Sequence, residues 1–328
     1  MADLTVDFLG FQLKNPIIVS SSTLTQNVEG IQEAEQAGAG AVVMRSLFEE
    51  AIREEMDQHG DETWSSHPEE YEYVIHELSM QYGANHYLEI IKEAKSKVNI
   101  PIIASINCQT PKWWVNYARQ IEAAGADAIE LNLSMMPIDP GLTPQDIEEE
   151  FISIVRTARE TVQIPLSVKI GCQFTSLSRF ANQICGAGAS ALVLFNRFYQ
   201  LDIDINEMKV TGRNPYSHPD ELHRSLRWVS VLYNRINCDL VGNTGIHDGA
   251  ALIKFLLAGA QTVEIASTIY LNGFSRIQEM LRELEEWMNQ KGYQKLSDFR
   301  GMLSLSKQKD PEMYERLQYI RALADLHD

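Results

Sequence analysis

Short apolar segments alternate along the chain with longer stretches of helical character. Four of the helical stretches end in the tripeptide Ala-Gly-Ala and lead directly into an apolar segment. These tripeptides are 37–39 before AVVMRS, 124–126 before AIELNLS, 187–189 before ALVLFNR and 258–260 before TVEIAS. Glycine suits a helix C-terminus because it accepts the left-handed backbone conformation. The pattern therefore predicts a recurring helix-to-strand unit.

Four further apolar segments lie between these units: NPIIVSS at 15–21, PIIASIN from Pro101, PLSVKIG from Pro165 and DLVGNTG from Asp239. Near-continuous apolar strands that alternate with helices are typical of a parallel sheet covered by helices. Eight such units indicate an α/β fold of the (β/α)8 TIM-barrel type. The alternative is a doubly wound open sheet, which would place a Gly-rich turn after the first strand. The turn here reads SSSTLTQN, which favours the barrel.

We interpret residues 1–328 as one TIM-barrel domain with two additions. Residues 47–83 form an acidic and aromatic insertion after strand 2. Because the insertion leaves the C-terminal end of a barrel strand, we expect it to lie over the active-site face. From about residue 291 onward we expect a C-terminal helical extension that includes DPEMYERLQYIRALADL.

Charge and hydropathy narrow the classes of function. The chain carries 28 basic and 45 acidic residues, a net charge of −17. This balance disfavours binding to nucleic acid and to anionic membrane surfaces. No apolar run approaches the roughly 20 residues of a membrane-spanning helix. The first 16 residues contain acids and no basic segment, so we expect no signal peptide and a cytoplasmic location.

The four cysteines, Cys108, Cys172, Cys185 and Cys238, are widely separated and form no CxxC motif. We expect them to be buried, reduced thiols. No spacing of metal-ligating residues predicts a metal site. The chain also lacks the HExxH and P-loop motifs.

In a TIM barrel, functional residues lie at the C-terminal ends of the strands. Lys169 stands out there because it lies within the apolar segment PLSVKIG. A lysine surrounded by apolar residues requires a partner or a ligand, so we interpret Lys169 as functional. The ends of strands 7 and 8, VGNTGIHDG and IASTIYLNG, predict a phosphate-bearing ligand, because barrels often bind phosphate there through backbone N–H groups. His247 follows strand 7 without an evident partner, and we interpret it as a surface or helix-start histidine.

Several of these motifs resemble those of the class 1 dihydroorotate dehydrogenases. NPIIVSSS is similar to the family's first-strand motif Asn-Pro-x-x-x-Ala-Ser-Gly, and IELNLS matches its strand-4 motif. VKI at 168–170 matches strand 5, and VGNTGIHDG resembles the strand-7 motif Gly-Thr-Gly-Gly-Ile. The segment ELEEWMNQKGYQKLSDFRG at 283–301 is similar to the family's C-terminal segment. The resemblance covers about 300 residues and all eight units.

The resemblance implies an FMN-dependent oxidoreductase that acts on CH–CH groups and oxidises dihydroorotate to orotate in pyrimidine biosynthesis. It implies that Asn132 contacts flavin and substrate, that Asn196 binds the substrate, and that Lys169 stabilises negative charge on the reduced flavin. Arg45 occupies the position of a family lysine. The residues expected at the cofactor are Ser20, Ser21, Arg45, Ser46, Asn132, Lys169, Thr244, Gly245, Ala266 and Ser267. The resemblance also carries the expectation of a small-molecule substrate and a homodimer.

The chain departs from the family at the position of its catalytic base. The family's Cys-Pro-Asn reads Met135-Met136-Pro137 here, and a methionine cannot take a proton. Ser134 lies one residue before the position of the base. Because successive strand side chains point to opposite faces, it could replace the base only if the backbone shifted. Arg45 keeps the charge of the family lysine but requires a planar fork geometry. A glycine pair after strand 6 reads Tyr216-Ser217, and Thr244 and Ala266 replace glycines of the phosphate motifs.

Three functions remain open at this level. The first is flavin-dependent oxidation or reduction with dihydroorotate or an altered substrate, and with weak activity because of Met135. The second is a barrel that binds a phosphate-bearing ligand without redox chemistry. The third is a catalytically silent interaction protein that acts through its acidic insertion.

Overall fold

The computed structural model describes residues 2–50, 83–107, 111–133, 135–198, 200–212 and 214–324. All eight apolar segments form strands of one barrel. In chain order these strands are β3 (Ile17–Val19), β4 (Ala41–Val43), β6 (Ile102–Asn107), β7 (Ala128–Leu133), β8 (Leu166–Ile170), β9 (Ala191–Leu194), β12 (Asp239–Asn243) and β13 (Thr262–Ile265).

The barrel is closed by parallel pairing throughout. The strands follow the order β4-β3-β13-β12-β9-β8-β7-β6, and β6 pairs with β4 to complete the circle. The predicted TIM barrel is therefore confirmed, and the open-sheet alternative is wrong. The register places Asn132 beside Lys169 on neighbouring strands.

Helices cover the outside of the barrel. In chain order they are α1 (Val28–Gln36), α2 (Ala84–Lys97), α3 (Pro111–Ala124), α4 (Pro144–Thr161), α5 (Leu177–Gly186), α6 (Leu222–Leu232), α7 (Gly249–Ala258), α8 (Ser267–Asn272), α9 (Arg276–Lys291) and α10 (Pro311–Ala324). None of the helices in the described ranges has the length and apolar character needed to span a bilayer.

The repeated tripeptides turn each helix back into the barrel as predicted. The glycines at 38, 125, 188 and 259 have φ values of 96°, 98°, 116° and 119°. A residue with a side chain is strained in this region of φ, so glycine is the residue that ends the helix here. The strands that follow are buried, apart from the half-buried Asn132, because helices cover one face and barrel side chains fill the other.

Among the described residues, five further strands lie outside the barrel circle. Strands β1 (Val6–Phe8) and β2 (Phe11–Leu13) form an antiparallel hairpin, as do β10 (Leu201–Asp204) and β11 (Lys209–Gly212). Strand β5 (Leu47–Phe48) begins the insertion and pairs with β6. Residues 51–82 of the insertion lie outside the described residues, so its position over the active-site face stays a prediction, as does the single-domain organisation. Helix α10 lies where a C-terminal helix was expected.

The expectation for the cysteines is wrong for two of them. Cys185 and Cys238 form a disulfide, with their Cα atoms 5.8 Å apart. The parallel pairing of β9 with β12 brings the end of α5 beside the residue that precedes β12. This pairing is a long-range consequence of barrel closure, and at a sequence separation of 53 the two cysteines carry no local signal for it. Cys172 is a free thiol, and Cys108 lies outside the described residues.

Candidate functional site

A cavity of roughly 440 Å³ opens at the carboxyl ends of the barrel strands. This volume lies within the range of about 300–1,000 Å³ that is typical of small-molecule sites. The ends of β3, β8, β9, β12 and β13 and the loops that follow them supply the walls. The polar residues that line the cavity include Ser20, Ser21, Ser22, Thr23, Lys169, Asn196, Arg197, Ser217, Asn243, Thr244, Glu264 and Ser267. We call it the strand-end cavity.

Lys169 lies at the floor of the strand-end cavity and is held by two hydrogen bonds. Its Nζ donates to Glu264 Oε2 at 2.8 Å and to Ser20 Oγ at 3.0 Å. Ser20 Oγ in turn donates to Glu264 Oε2 at 2.8 Å. Burial alone would lower the pKa of Lys169, but attraction to Glu264 and Glu130 outweighs it and raises the pKa. Lys169 is therefore a fixed cation with one ammonium proton left for a third acceptor.

Glu130 is a second carboxyl group beside Lys169. Its Oε1 lies 3.8 Å from Lys169 Nζ, and its side chain is 1% exposed. Neither of its carboxyl oxygens has a hydrogen-bond partner among the described residues. Burial and repulsion from Glu264 raise the pKa of Glu130 well above its ordinary value, despite the attraction of Lys169. For Glu264, attraction to Lys169 outweighs burial and lowers the pKa.

A chain of hydroxyl groups leads sideways from the strand-end cavity. Ser21 Oγ lies 3.1 Å from Ser46 Oγ, which lies 2.8 Å from Ser105 Oγ. The Tyr87 hydroxyl completes the chain by accepting from the Ser105 N–H at 2.8 Å. Of these residues only Ser21 lines the cavity. Arg45 follows β4 and donates to Gln26 Oε1 at 3.1 Å, so it lies beside the cavity rather than in its wall.

The two asparagines predicted at the substrate are hydrogen-bonded to each other. Asn196 Nδ2 donates to Asn132 Oδ1 at 2.9 Å. Asn196 lines the strand-end cavity, whereas Asn132 contacts it through Asn196. This bond fixes the two amides so that Asn196 Oδ1 and Asn132 Nδ2 remain for other partners. An acceptor and a donor on adjacent amides suit a planar imide or amide.

The corner predicted to hold a phosphate group is lined by hydroxyl and amide groups. Ser217 N–H donates to Ser267 Oγ at 2.9 Å, and Gly245 N–H donates to Ser217 Oγ at 3.2 Å. His247 Nε2 lies 3.2 Å from Ser217 Oγ, and burial lowers its pKa. His247 lies two residues before α7, as expected of a helix-start histidine. Its partner could not be seen in the sequence, because the 216–218 loop folds onto strand 7 only in the closed barrel. Thr244 has a φ of 74°, a strained value for a β-branched residue.

Two tyrosines border the mouth of the strand-end cavity. Tyr216 and Tyr270 stack with ring centroids 5.1 Å apart. The Tyr270 hydroxyl lies 2.5 Å from Thr23 Oγ1 and so joins α8 to the loop after β3. The nearby Arg197 is paired with Glu221, Nε to Oε2 at 2.8 Å. The stack narrows one side of the entrance and offers an aromatic surface to a planar ligand.

Met135 lines a different cavity of roughly 350 Å³, beside the ends of β7 and β8. The walls of this second cavity are mostly apolar and include Phe151, Phe174 and Phe198. Asp139 and Glu148 are its carboxylates. Met135 packs against the core and is not among the residues that line the strand-end cavity. Ser134 lies outside the described residues.

Most residues predicted at the cofactor meet at the strand-end cavity. Those that line it are Ser20, Ser21, Lys169, Thr244, Gly245, Ala266 and Ser267, together with the substrate candidate Asn196. Arg45, Ser46 and Asn132 do not line it. Glu264, Ser217 and Tyr270 line it and were missed by the sequence reasoning. Glu264 carried a signal, because a carboxylate within the apolar segment TVEIAS needs a partner as much as Lys169 does.

Comparisons with known proteins agree with the motifs. The model of the family described as dihydroorotate dehydrogenase matches residues 3–288. The chain is 25% identical over 314 residues to the catalytic subunit of dihydroorotate dehydrogenase B (NAD(+)) from Thermoplasma acidophilum, with 92% of this chain and 99% of that protein covered. The proteins of the same name from Pyrococcus abyssi and Thermoplasma volcanium are 26% and 27% identical, with 91% and 92% of this chain and 98% and 99% of theirs covered. Because the family model matches most of the chain, this protein belongs to the dihydroorotate dehydrogenase family.

Proposed function

We propose that this protein is an FMN-dependent oxidoreductase that acts on a CH–CH bond of a small molecule related to dihydroorotate. The observation that carries the proposal is the position of Lys169. Its buried ammonium lies at the floor of the strand-end cavity, with the amide of Asn196 on one wall and the hydroxyls of Ser217 and Ser267 on another. One cavity thus offers a cation, an amide and a set of hydrogen-bond donors that suit a phosphate group.

The residues present fit FMN by the chemistry of their donors. Ser267, just after strand 8, and Ser217, in the loop after strand 6, supply hydroxyls that can rotate toward a phosphate. The Gly245 N–H, which donates to Ser217 Oγ, belongs to the same corner. Lys169 retains one ammonium proton for a ring oxygen or nitrogen. Ser20 and Ser21 line the wall beside it. When bound, FMN supplies a two-electron acceptor for hydride.

The chain's own groups bind and orient the reactants in this proposal. Lys169 holds a positive charge where negative charge would develop on reduction, and a fixed charge in a water-poor site is effective because it needs no reorganisation. The paired amides of Asn132 and Asn196 hold the planar substrate. Arg45 does not line the cavity wall; its hydrogen bond to Gln26 would instead position the loop after β4.

Met135 makes dihydroorotate a poor substrate. Loss of a general base typically costs about 10²–10⁴-fold in rate. Among the described residues that line the strand-end cavity, the one carboxylate is Glu264, which is already held by Lys169 and Ser20. We therefore propose either an altered substrate, whose proton is removed without a protein base, or slow turnover of dihydroorotate. The name of the relatives includes NAD(+), so we propose NAD(+) as the first electron acceptor to assay.

The experiment is anaerobic mixing of the FMN-loaded protein with dihydroorotate, for wild type and for Met135→Cys. The expected result is slow flavin bleaching in wild type. Met135→Cys should accelerate it at least tenfold once the loop after β7 turns residue 135 from the second cavity toward the strand-end cavity. Bleaching at the same rate in both proteins would show that the missing base does not limit the reaction. A flavin that stays oxidised in both proteins would move the search to other substrates.

A second function is a silent barrel that binds a phosphate-bearing ligand. The observation that favours it is the separation of Met135 from the strand-end cavity, together with the Tyr216–Tyr270 stack at its mouth. Binding of FMN without reduction by any CH–CH substrate or by NADH would support this function. Failure to bind FMN, with binding of another phosphorylated ligand, would support it further.

We also propose a homodimer, supported by the hairpin of β10 and β11. Leu201, Ile203 and Val210 are 65%, 59% and 65% exposed on one face of this hairpin. Exposed apolar patches of this kind mark interaction sites. Sedimentation of wild type and of Ile203→Asp would test the proposal, since the variant should shift the protein toward monomer.

We propose a cytoplasmic location from the acidic composition. The disulfide between Cys185 and Cys238 is uncommon in a reducing compartment. Mass spectrometry of alkylated thiols, taken directly from lysed cells, would test this location. A fully reduced pair would agree with it, and a fully oxidised pair would contradict it.

A further inference from the structure

The buried cluster at and behind the floor of the strand-end cavity contains one more carboxyl group than it has cations. Lys169, Glu130 and Glu264 lie together, with side chains 7%, 1% and 2% exposed. If all three were ionised, a net negative charge would remain in a site with little access to water. An uncompensated buried charge is costly enough that the group takes up a proton instead.

The hydrogen bonds decide which carboxyl group is neutral. Glu264 accepts from both Lys169 and Ser20, each at 2.8 Å. Glu130 accepts from no described residue, and its nearer oxygen is 3.8 Å from the ammonium. Hydrogen bonds to a carboxylate favour its charged form, whereas burial without them favours the acid. The geometry therefore places the negative charge on Glu264 and the proton on Glu130.

We propose that Glu264 is a positioning residue that fixes the ammonium of Lys169 and balances its charge in an ion pair, while Glu130 lies beside the pair as a neutral acid. The cavity then presents a ligand with an ion pair rather than with a free cation. The assignment of charges concerns the protein alone. Its consequence for a bound flavin rests on the proposed function.

The consequence is a limit on how strongly Lys169 stabilises negative charge in the cavity. The carboxylate of Glu264 also lines the cavity, so a ligand that gains negative charge is attracted by Lys169 and repelled by Glu264. Replacement of Glu264 by glutamine keeps the shape and a hydrogen-bond acceptor but removes the repulsion. A ligand whose edge becomes negative on reduction should then be reduced more easily.

Two glutamine variants form a matched pair for this test. Glu264→Gln, made in the Glu130→Gln background so that Glu130 cannot ionise in its place, removes a charge, so the two-electron midpoint potential of the FMN-loaded protein should rise. The expected change is at least tenfold in the reduction equilibrium, or about 30 mV. Glu130→Gln replaces a neutral acid with a neutral amide of the same shape, so the potential should stay within a few-fold of wild type. Equal rises in both variants, or no rise in the double variant, would overturn the proposal.

The charge assignment is tested separately in the flavin-free protein by infrared spectroscopy at neutral pH. The difference between wild type and Glu130→Gln should show the loss of a carboxylic acid carbonyl band. The difference for Glu264→Gln, made in the Glu130→Gln background, should show the loss of carboxylate bands. Loss of carboxylate bands in Glu130→Gln would overturn the proposal.

The two measurements separate the inference from the function. If the protein binds no FMN, the proposed function fails, while the infrared bands still decide the charges. If FMN binds and the potentials do not differ, the inference fails while the function stands. Should either variant fail to fold, wild type labelled with ¹³C-glutamate should still show an acid band at neutral pH, well above the ordinary glutamate pKa of about 4.3. Absence of that band would overturn the proposal.

Discussion

Removal of the ammonium of Lys169 is the perturbation whose effect the structure defines most closely. Lys169→Met keeps the length and apolar volume of the side chain and leaves Glu264 without its cation. The two charges are 2.8 Å apart. At an effective dielectric constant of about 20 they attract by roughly 6 kcal/mol before desolvation is subtracted. Breaking a buried pair by removal of one partner typically destabilises a protein by about 3–5 kcal/mol.

We therefore expect Lys169→Met to lower the free energy of unfolding by about 3–5 kcal/mol at neutral pH. The assay is urea unfolding of the flavin-free protein, followed by circular dichroism. The double variant Lys169→Met with Glu264→Gln should recover most of the loss, because a neutral replacement of both partners is often tolerated.

An exposed ion pair provides the control. Lys92 and Glu89 are also 2.8 Å apart, but their side chains are 56% and 69% exposed. Solvent screens such pairs, so Lys92→Met should cost less than about 1 kcal/mol. If Lys169→Met were as stable as Lys92→Met, or if the double variant recovered nothing, Lys169 and Glu264 would not form the buried pair described above.

Three further predictions concern stability. Replacement of Cys185 and Cys238 together by serine should lower the free energy of unfolding by roughly 2–4 kcal/mol, because the bond closes a long loop; an unchanged urea midpoint would show that the disulfide does not form. Thr244→Gly should raise the free energy of unfolding by about 1 kcal/mol, because glycine relieves the strain of the positive φ. A lower free energy of unfolding would mean that the hydrogen bond from Thr244 Oγ1 to Phe195 O, 3.2 Å long, stabilises the fold by more than the strain costs. Because the pKa of Glu130 is raised in the folded state, its contribution to stability is full below the unfolded pKa of about 4.3 and is lost as pH rises toward the folded pKa. Glu130→Gln should therefore gain stability relative to wild type as pH increases from 4 to 7, and a pH-independent difference would contradict the raised pKa.

The barrel could be predicted from the sequence because its signals are local and repeated. Each Ala-Gly-Ala turn combines the end of a helix with the start of a strand within about ten residues. The position of the cavity could also be predicted from the sequence, since the C-terminal ends of all parallel strands of a barrel lie at one face. Lys169 was identifiable because its charge is out of place in an apolar strand.

The partners of Lys169 could not be predicted in the same way. Glu264 is 95 residues away along the chain and Ser20 is 149, and only barrel closure brings them together. Both strands that carry the carboxyl groups, AIELNLS and TVEIAS, showed a charged residue among apolar ones. The sequence could thus indicate that each needed a partner, but not which partner it would have. The same limit applies to the disulfide.

The position of Met135 illustrates a different limit. The motif comparison placed it at the catalytic-base position of the family, and the sequence alone implied only that a methionine had replaced the base. The structure shows its side chain in the wall of the second cavity, among aromatic residues. Which cavity a loop residue faces depends on the path of the loop after the strand, and local sequence patterns do not determine that path.

The most direct test of the proposed function is the visible absorption spectrum of the purified protein after incubation with FMN and removal of unbound flavin. The account predicts a bound flavin spectrum at about one FMN per chain, and a weaker one for a variant that fills the phosphate corner, Ser267→Phe. A wild-type protein that remains colourless while correctly folded would contradict it. The barrel would stand, but the oxidoreductase function would not.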